Sequence, residues 1–165
     1  MRGFSLIETL VYIAVLSLVS TLFVNTLLAM NRSYAVLETV MMLDRAATAG
    51  MERMTREIRA ATDVDTLQST LGVSPGVLTV NQIDETGAVS RAAFSILNEV
   101  LHISRDGVDQ GSLLPPRIAA ESLIFRLIDS GKSKAVKIEM RLLSVAGRTR
   151  SESYYTTVIL RGSYR

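Results

Sequence analysis

The first third of the chain carries a long apolar run without interruption. From Thr9 to Asn31 there are 23 residues without a charged side chain, and leucine, valine, isoleucine and alanine dominate them. At a rise of about 1.5 Å per residue, a helix of this length reaches about 35 Å, which exceeds a hydrocarbon core of about 30 Å. Neither proline nor glycine breaks the run. The pattern therefore predicts a continuous transmembrane helix.

Beyond Arg32 the apolar positions recur at spacings of three and four residues, the period of one helix face. The predicted stripe comprises Val36, Val40, Leu43, Ala47, Met51, Met54, Ile58 and Ala61. Gly50 is a weak point of the helix, because glycine is less favourable in a helix than alanine. Residues 60–63 are expected to end the helix. The methionines are interpreted as adaptable filling of the core: Met41, Met42, Met51 and Met54. One helix of more than fifty residues is expected. An isolated coiled coil is the alternative, but only about three and a half heptads exist, and strands follow, so a sheet packed on the stripe is favoured.

The last two thirds of the chain change to a period of two, which is typical of strands. The predicted strands are Val77 to Ile83, Arg91 to Leu97, Val100 to Arg105, Ile118 to Ile128, Val136 to Leu142 and Tyr154 to Leu160. Turns are expected at Asp84–Gly87, Asn98–Glu99 and Ser130–Ser133, and a loop over Asp106–Gly111. Consecutive strands with brief turns predict an antiparallel sheet, apolar toward the helix and polar outside.

Composition narrows the class of protein. The net charge is only +2, no run of five like charges occurs, aromatic residues make up 5% of the chain, and tryptophan is absent. Surfaces that bind nucleic acid usually combine a basic stripe with stacking aromatics, so no direct nucleic-acid binding is expected. Cysteine is also absent, which excludes disulfides and thiolate metal sites. Packing alone must therefore hold the domain beyond Arg32 together.

Glu8 is the feature of the apolar region that calls for an explanation. A charged side chain in hydrocarbon costs roughly 2.5–3.5 kcal/mol or more, so Glu8 is a functional hypothesis. Arg2 and the initiating amine lie on the short side of the run, which predicts a cytoplasmic N-terminus and an extracytoplasmic bulk. An ordinary cleaved secretory signal is the alternative. The tiny charged leader, the early Glu8 and the poor match of Leu28-Ala29-Met30 to a cleavage site argue against it.

The residues that open the chain after Arg2 are Gly3, Phe4, Ser5, Leu6, Ile7 and Glu8. This motif resembles the processing signature of type IV pilins and type II secretion pseudopilins. The resemblance implies that a prepilin peptidase in the inner membrane cuts between Gly3 and Phe4 and methylates the new amine of Phe4. Glycine suits such a cut, because a residue without a side chain lets the extended leader lie in a peptidase cleft.

The same resemblance assigns Glu8, the fifth residue of the trimmed chain, to subunit assembly. A carboxylate in lipid is stabilised when a positive group pairs with it, and cleavage provides one at Phe4. Glu8 of an incoming subunit is then expected to pair with the N-terminus of the subunit above it. The alternative is that Glu8 merely extends to the nearby headgroups. The implied partners are other pilin or pseudopilin subunits, the prepilin peptidase, an inner-membrane assembly platform and membrane lipid.

The order of elements resembles J-type minor pseudopilins of type II secretion and W-type minor pilins of type IV pili. The fold expected is therefore α+β, the pilin fold, with one long N-terminal helix packed on an antiparallel β-sheet head. Its parts are a leader (1–3), a transmembrane half-helix (4–31), an amphipathic half-helix (32–62) and the head (63–165). The chain lacks the cysteine pair and the membrane-helix proline of many major pilins, which favours a minor pilin or pseudopilin. The role that the resemblance implies is that of a minor subunit at or near the tip, which helps to start assembly.

Few residues of the chain suggest a catalytic or metal-binding role. His102 is the one histidine, and no Gly-x-Ser-x-Gly elbow or phosphate-binding loop occurs. Asp106 and Asp109 could help to hold calcium, but their spacing does not fit an EF-hand, and a solvated turn is favoured. We therefore expect no catalytic residue, no metal site, no cofactor and no enzymatic activity. Two alternatives to a filament subunit stay open: a membrane-anchored extracytoplasmic binding module that does not polymerise, and, with less support, an exported enzyme.

Overall fold

The computed structural model describes residues 5–83, 87–145 and 149–161. One helix, α1 (Leu6–Ala60), precedes the strands. The strands are β1 (Ala61–Val64), β2 (Leu78–Ile83), β3 (Val89–Leu97), β4 (Val100–Arg105), β5 (Val108–Ser112), β6 (Ile118–Asp129), β7 (Lys134–Ser144) and β8 (Arg150–Ile159). All strand pairs are antiparallel. The predicted α+β fold, a long N-terminal helix packed on an antiparallel head, is confirmed.

The chain divides into two compact units, residues 1–38 and 39–165. We call the second unit the head from here on; it contains the C-terminal part of α1 as well as the strands, and is therefore wider than the β-sheet head expected over 63–165. The prediction of one helix of more than fifty residues is confirmed, because α1 has 55 residues. It ends at Ala60, where β1 begins without an intervening loop.

The part of α1 within the head buries one face in the core. The buried residues are Thr39, Leu43, Ala46, Ala47, Gly50, Met54, Glu57 and Ile58. Four of them belong to the predicted stripe, whereas Val36, Val40 and Met51 are only half-buried and Ala61 is buried in β1. Core filling by Met41 was a wrong prediction, because its side chain is 48% exposed. The buried face includes Gly50, where an added Cβ would lie 3.7–3.8 Å from the side chains of Leu114 and Leu101.

The described residues of the head form two sheets rather than one. A five-stranded sheet has the order β1-β2-β3-β4-β5, and a three-stranded sheet has the order β6-β7-β8. The predicted alternation in β7 is confirmed. Val136, Ile138, Met140 and Leu142 are buried, and Lys137, Glu139 and Arg141 face the other way. Both sheets and α1 contribute to one hydrophobic cluster, which includes Phe94, Phe125 and Leu43.

The turns follow the expected hairpins with one correction. Asn98 and Glu99 adopt φ values of 51° and 63°, which confirms a two-residue hairpin between β3 and β4. The loop predicted over 106–111 is wrong beyond its first two residues, because β5 begins at Val108. Asp106 (φ 51°) and Gly107 (φ 82°) form another tight turn, which lets the polar residues after them continue the sheet as an exposed edge. Residues 84–86 of the predicted Asp84–Gly87 turn lie outside the described residues.

Candidate functional site

The N-terminal end of α1 places Glu8 in the first helical turn. The carbonyl of Ser5 accepts hydrogen bonds from the N–H groups of Glu8 (3.0 Å) and Thr9 (3.2 Å), which makes Ser5 the N-cap residue. Ser5 and Glu8 therefore have the spacing of a capping box, and an acidic side chain here also faces the positive end of the helix dipole. The predicted cleavage and methylation residues, Gly3 and Phe4, lie outside the described residues.

Glu8 is exposed among apolar neighbours. The hydroxyl of Tyr12, one turn along the helix, lies 3.5 Å from Oε1 of Glu8, at the outer limit of a hydrogen bond. Leu6 and Ile7 are 82% and 74% exposed. A single carboxylate thus lies near the start of a surface that is otherwise apolar.

The N-terminal part of α1 is long and apolar enough to span a membrane. Its most apolar window of 18 residues has a mean hydropathy of 2.1, and none of that window is buried by the rest of the protein. The large apolar side chains from Leu10 to Met30 are each at least half exposed. Exposed apolar surface of this extent is stable only in contact with lipid or with another apolar surface.

Four hydroxyl groups in the N-terminal part of α1 are satisfied inside the helix. Ser17, Thr21, Thr26 and Ser33 each donate to the carbonyl oxygen four residues earlier, at 2.8–3.1 Å. Such bonds matter where no water is available, because an unpaired polar group in hydrocarbon costs several kcal/mol. The helix therefore carries these four polar side chains without an uncompensated donor, and Glu8 stands apart from them as a charged group.

A buried polar cluster of the head surrounds Glu57, which the sequence pattern did not single out. Its side chain is buried, and its carboxylate forms ion pairs with Arg53 (3.0 Å) and Arg105 (2.8 Å). Gln82 donates to both the carboxylate and the main-chain carbonyl of Glu57, each at 2.9 Å. Because Gln82 belongs to β2 and Arg105 to β4, this cluster ties α1 to two strands of the five-stranded sheet.

His102 pairs with the carboxylate of Asp109, and no nucleophile among the described residues bonds to its ring. Its Nδ1 lies 3.0 Å and 3.2 Å from the two carboxylate oxygens of Asp109. Ser112 is the cross-strand partner of His102, yet its hydroxyl donates to the carbonyl of Leu114 (2.7 Å). A Ser–His–Asp relay needs that hydroxyl on the imidazole, so these three residues do not form a relay as placed.

The carboxylates of the β4–β5 hairpin accept hydrogen bonds from nearby main-chain groups of β3 and of the hairpin. Asp106 accepts from the N–H of Arg91 (2.7 Å), and Asp109 accepts from the N–H of Gly111 (2.9 Å). The bond from Gly111, followed by the bond to His102, holds the pKa of Asp109 below its ordinary value. Within the described ranges, no three histidine, cysteine or acidic side chains lie together in a way that could hold a metal ion.

Tyr154 links the edge of the three-stranded sheet to α1. Its hydroxyl donates to the carboxylate of Asp44 at 2.8 Å. Burial of the phenol, and then the adjacent Asp44 carboxylate, raise the pKa of Tyr154 above its ordinary value of 10. The folded head therefore holds this proton more tightly than the unfolded chain does.

A pH dependence follows from the raised pKa of Tyr154. Its contribution to stability is complete below about pH 10 and is lost as the pH rises further, because the unfolded chain ionises first. We expect the denaturation midpoint of the full chain to fall between about pH 9 and about pH 11, and Tyr154→Phe to reduce that fall. The matched control is Tyr155→Phe, since Tyr155 is 66% exposed. If the denaturation midpoints of Tyr154→Phe and Tyr155→Phe fell equally between about pH 9 and about pH 11, this assignment would be contradicted.

An open groove of about 840 Å³ lies between α1 and β8. Its lining residues are Ala47, Thr48, Met51, Glu52, Thr55, Arg56, Arg59 and Ala60 of α1, Tyr154, Tyr155 and Thr156 of β8, and Arg161. We call it the α1–β8 groove. Three arginines and one carboxylate give its walls a positive balance.

A scan against models of protein families, and searches of the curated proteins and of the solved structures, found no match.

Sequence reasoning located the N-terminal features better than those of the head. Glu8 and the apolar helix follow from a local run of residues, and the structure places Glu8 at the start of that helix. Glu57 and the α1–β8 groove depend on strands far away in the chain. The signal that could have suggested Glu57 is its place three residues after Met54, on the helix face that the apolar stripe defines.

Proposed function

We propose that this chain is a non-enzymatic structural subunit, a minor pilin or pseudopilin, that is processed by a prepilin peptidase and assembled into a type IV pilus or a type II secretion-like pseudopilus. It is first a single-pass protein of the inner membrane with a cytoplasmic N-terminus and an extracytoplasmic head. It then enters the filament at or near the tip, where it takes part in initiation. Its partners are other subunits and the inner-membrane assembly platform.

The observation that carries this proposal is the isolated carboxylate of Glu8 in the first turn of an exposed apolar helix, directly after the Gly-Phe-Ser-Leu-Ile motif. A plain membrane anchor gains only a helix cap from such a group, while its transfer into hydrocarbon is unfavourable. A subunit that must be inserted in one register does gain, because the carboxylate is satisfied only beside a positive partner. Cleavage after Gly3 creates that partner at the amine of Phe4.

The continuity of α1 supports the same function. The helix that begins with the apolar part also supplies one face of the head core, through residues such as Leu43, Met54 and Ile58. A subunit built in this way carries its head on the element that inserts among neighbouring subunits. Both parts belong to one helix, α1 (Leu6–Ala60).

Processing of the N-terminus tests the proposal against a membrane-anchored binding module that does not polymerise. Intact-mass measurement of protein extracted from the membrane should show the loss of Met1, Arg2 and Gly3 and the gain of one methyl group. The control is Gly3→Leu, whose side chain should block the cleft of the peptidase and leave the chain uncut. A wild-type chain that still carries Met1 would leave the anchored module as the better explanation.

A further inference from the structure

Three of the four edges of the two sheets are short or covered. β1 has four residues and a register shift, and β5 has five residues. The outer edge of β6 is covered by residues 72–76, because Gly72 and Gly76 donate to the carbonyls of Phe125 and Leu123, both at 2.8 Å. That approach requires glycine at position 76, where a Cβ would lie 2.9 Å from the Leu123 oxygen. Such devices prevent a sheet edge from pairing with other chains.

The fourth edge, β8, has ten residues, and none of the described segments shortens or covers it in these ways. The N–H of Leu160 donates to the carbonyl of Lys134, which places the even-numbered residues of β8 in hydrogen-bonded pairs with β7. Ser153, Tyr155 and Thr157 therefore turn their N–H and C=O groups away from β7. Nothing in the described ranges pairs with these outward groups. Residues 153–159 also contain no proline and no charge, and β-branched and aromatic residues predominate.

The α1–β8 groove runs beside this edge and carries an excess of positive charge. Arg56, Arg59 and Arg161 are exposed, and within the described residues none of them makes an ion pair or a side-chain hydrogen bond. Arginines elsewhere on the head, such as Arg126 and Arg141, do pair with carboxylates. The groove thus combines unpaired main-chain groups with unpaired guanidinium groups.

We propose that the α1–β8 groove binds an extended, carboxylate-bearing segment of another polypeptide, which adds to β8 as a further antiparallel or parallel strand. Main-chain hydrogen bonds to Ser153, Tyr155 and Thr157 hold the segment, and its acidic side chains on one face meet Arg56 and Arg59. This goes beyond the proposed function and does not depend on it, because a filament subunit and an anchored module can both present this edge.

Other occupants can satisfy either the arginines of the groove or the outward main-chain groups of β8, but not both. A phosphate or an anionic headgroup can neutralise the arginines, but it cannot pair with a row of alternating N–H and C=O groups. A second copy of β8 can pair with those groups, yet edge-to-edge pairing of two copies would bring two sets of arginines together. A polypeptide strand with carboxylates satisfies both sets.

Peptide binding to the full chain in neutral lipid nanodiscs tests this proposal. The probe is a fluorescent ten-residue peptide in which glutamate alternates with valine. One control peptide has lysine in place of glutamate, and another has the acidic sequence with two adjacent central amides N-methylated. We expect the acidic peptide to bind, the basic peptide not to bind, and the methylated peptide to bind about tenfold more weakly, because it loses main-chain hydrogen bonds.

Variants separate the two parts of the proposed site. Arg56→Gln combined with Arg59→Gln should weaken binding about fivefold, whereas Arg117→Gln, an exposed arginine outside the groove, should leave it unchanged. Thr157→Pro should abolish binding, since it removes an outward N–H while keeping the ladder to β7. A thermal melt confirms that each variant is folded.

Several outcomes would overturn the proposal. The first is no binding of the acidic peptide at all. The second is equal binding of the methylated peptide, which would reduce the groove to a site of general anion attraction. The third is a self-associated chain whose β8 edge is occupied by another copy, detected as a dimer that dissociates in the Thr157→Pro variant. Loss of filament assembly without loss of peptide binding would bear on the proposed function and leave the groove intact.

Discussion

Replacing Glu57 with alanine should lower the free energy of unfolding of the head by about 3 kcal/mol, the largest stability effect expected for one polar side chain on the buried face of α1. The variant removes a buried carboxylate that accepts from Arg53, Arg105 and Gln82. Hydrogen bonds to charged groups contribute about 1.5–3 kcal/mol each, but both arginines are partly exposed and water can solvate them after the change. The net loss therefore lies below the sum of the separate bonds.

Chemical denaturation of the full chain in detergent, followed by the near-ultraviolet circular dichroism of the tyrosines, measures this loss. Glu52→Ala is the matched control, because Glu52 is exposed on the same helix, and its effect should stay within about 0.5 kcal/mol. Glu57→Gln should fall between the two, since it keeps the shape and an acceptor for Gln82 but removes the charge. If Glu57→Ala and Glu52→Ala had equal effects, the cluster would not hold α1 to the sheet.

The Glu57 cluster also shows why the helix could be predicted from the sequence while its buried face was misplaced. Spacings of three and four gave the helix and four of its buried positions. Thr39, Ala46, Gly50 and Glu57 are small or polar, so a hydrophobic pattern does not mark them. Their burial is decided by groups such as Leu101 and Gln82, which come from strands far along the chain.

The sheets show a related difference between local and distant information. Six strands and the hairpin at Asn98–Glu99 follow from alternation and turn residues, which are local signals. β5 is an exposed edge of polar residues, and its pattern resembles a loop. The division into two sheets depends on which strands pair. Pairing is decided by how distant segments pack together, and the local sequence of a strand does not reveal it. The free edge of β8 becomes visible only once this order is known.

Replacing Glu8 with glutamine should lower incorporation into filaments by about a hundredfold, which corresponds to the loss of about 3 kcal/mol of pairing in the membrane. Glutamine keeps the capping-box pattern with Ser5, so the start of α1 is preserved while the charge is removed. Membrane insertion should not suffer, because a neutral amide in hydrocarbon costs less than a carboxylate. Cleavage after Gly3 should also proceed.

Glu8→Asp provides the control that keeps the charge. Its shorter side chain should permit pairing with the N-terminal amine at reduced strength, so incorporation should lie between that of the wild type and that of Glu8→Gln. If Glu8 only extended to the headgroups, all three chains would assemble alike. If Glu8 acted only as a helix cap, Glu8→Gln would behave as the wild type does.

The amount of Glu8→Gln recovered in sheared filaments, relative to the amount in the membrane, tests most directly whether this carboxylate drives assembly. Intact mass of the membrane fraction must first show that the variant is trimmed and methylated. We predict a processed variant that stays in the membrane and is nearly absent from filaments. A processed Glu8→Gln chain that enters filaments as well as the wild type would contradict the account.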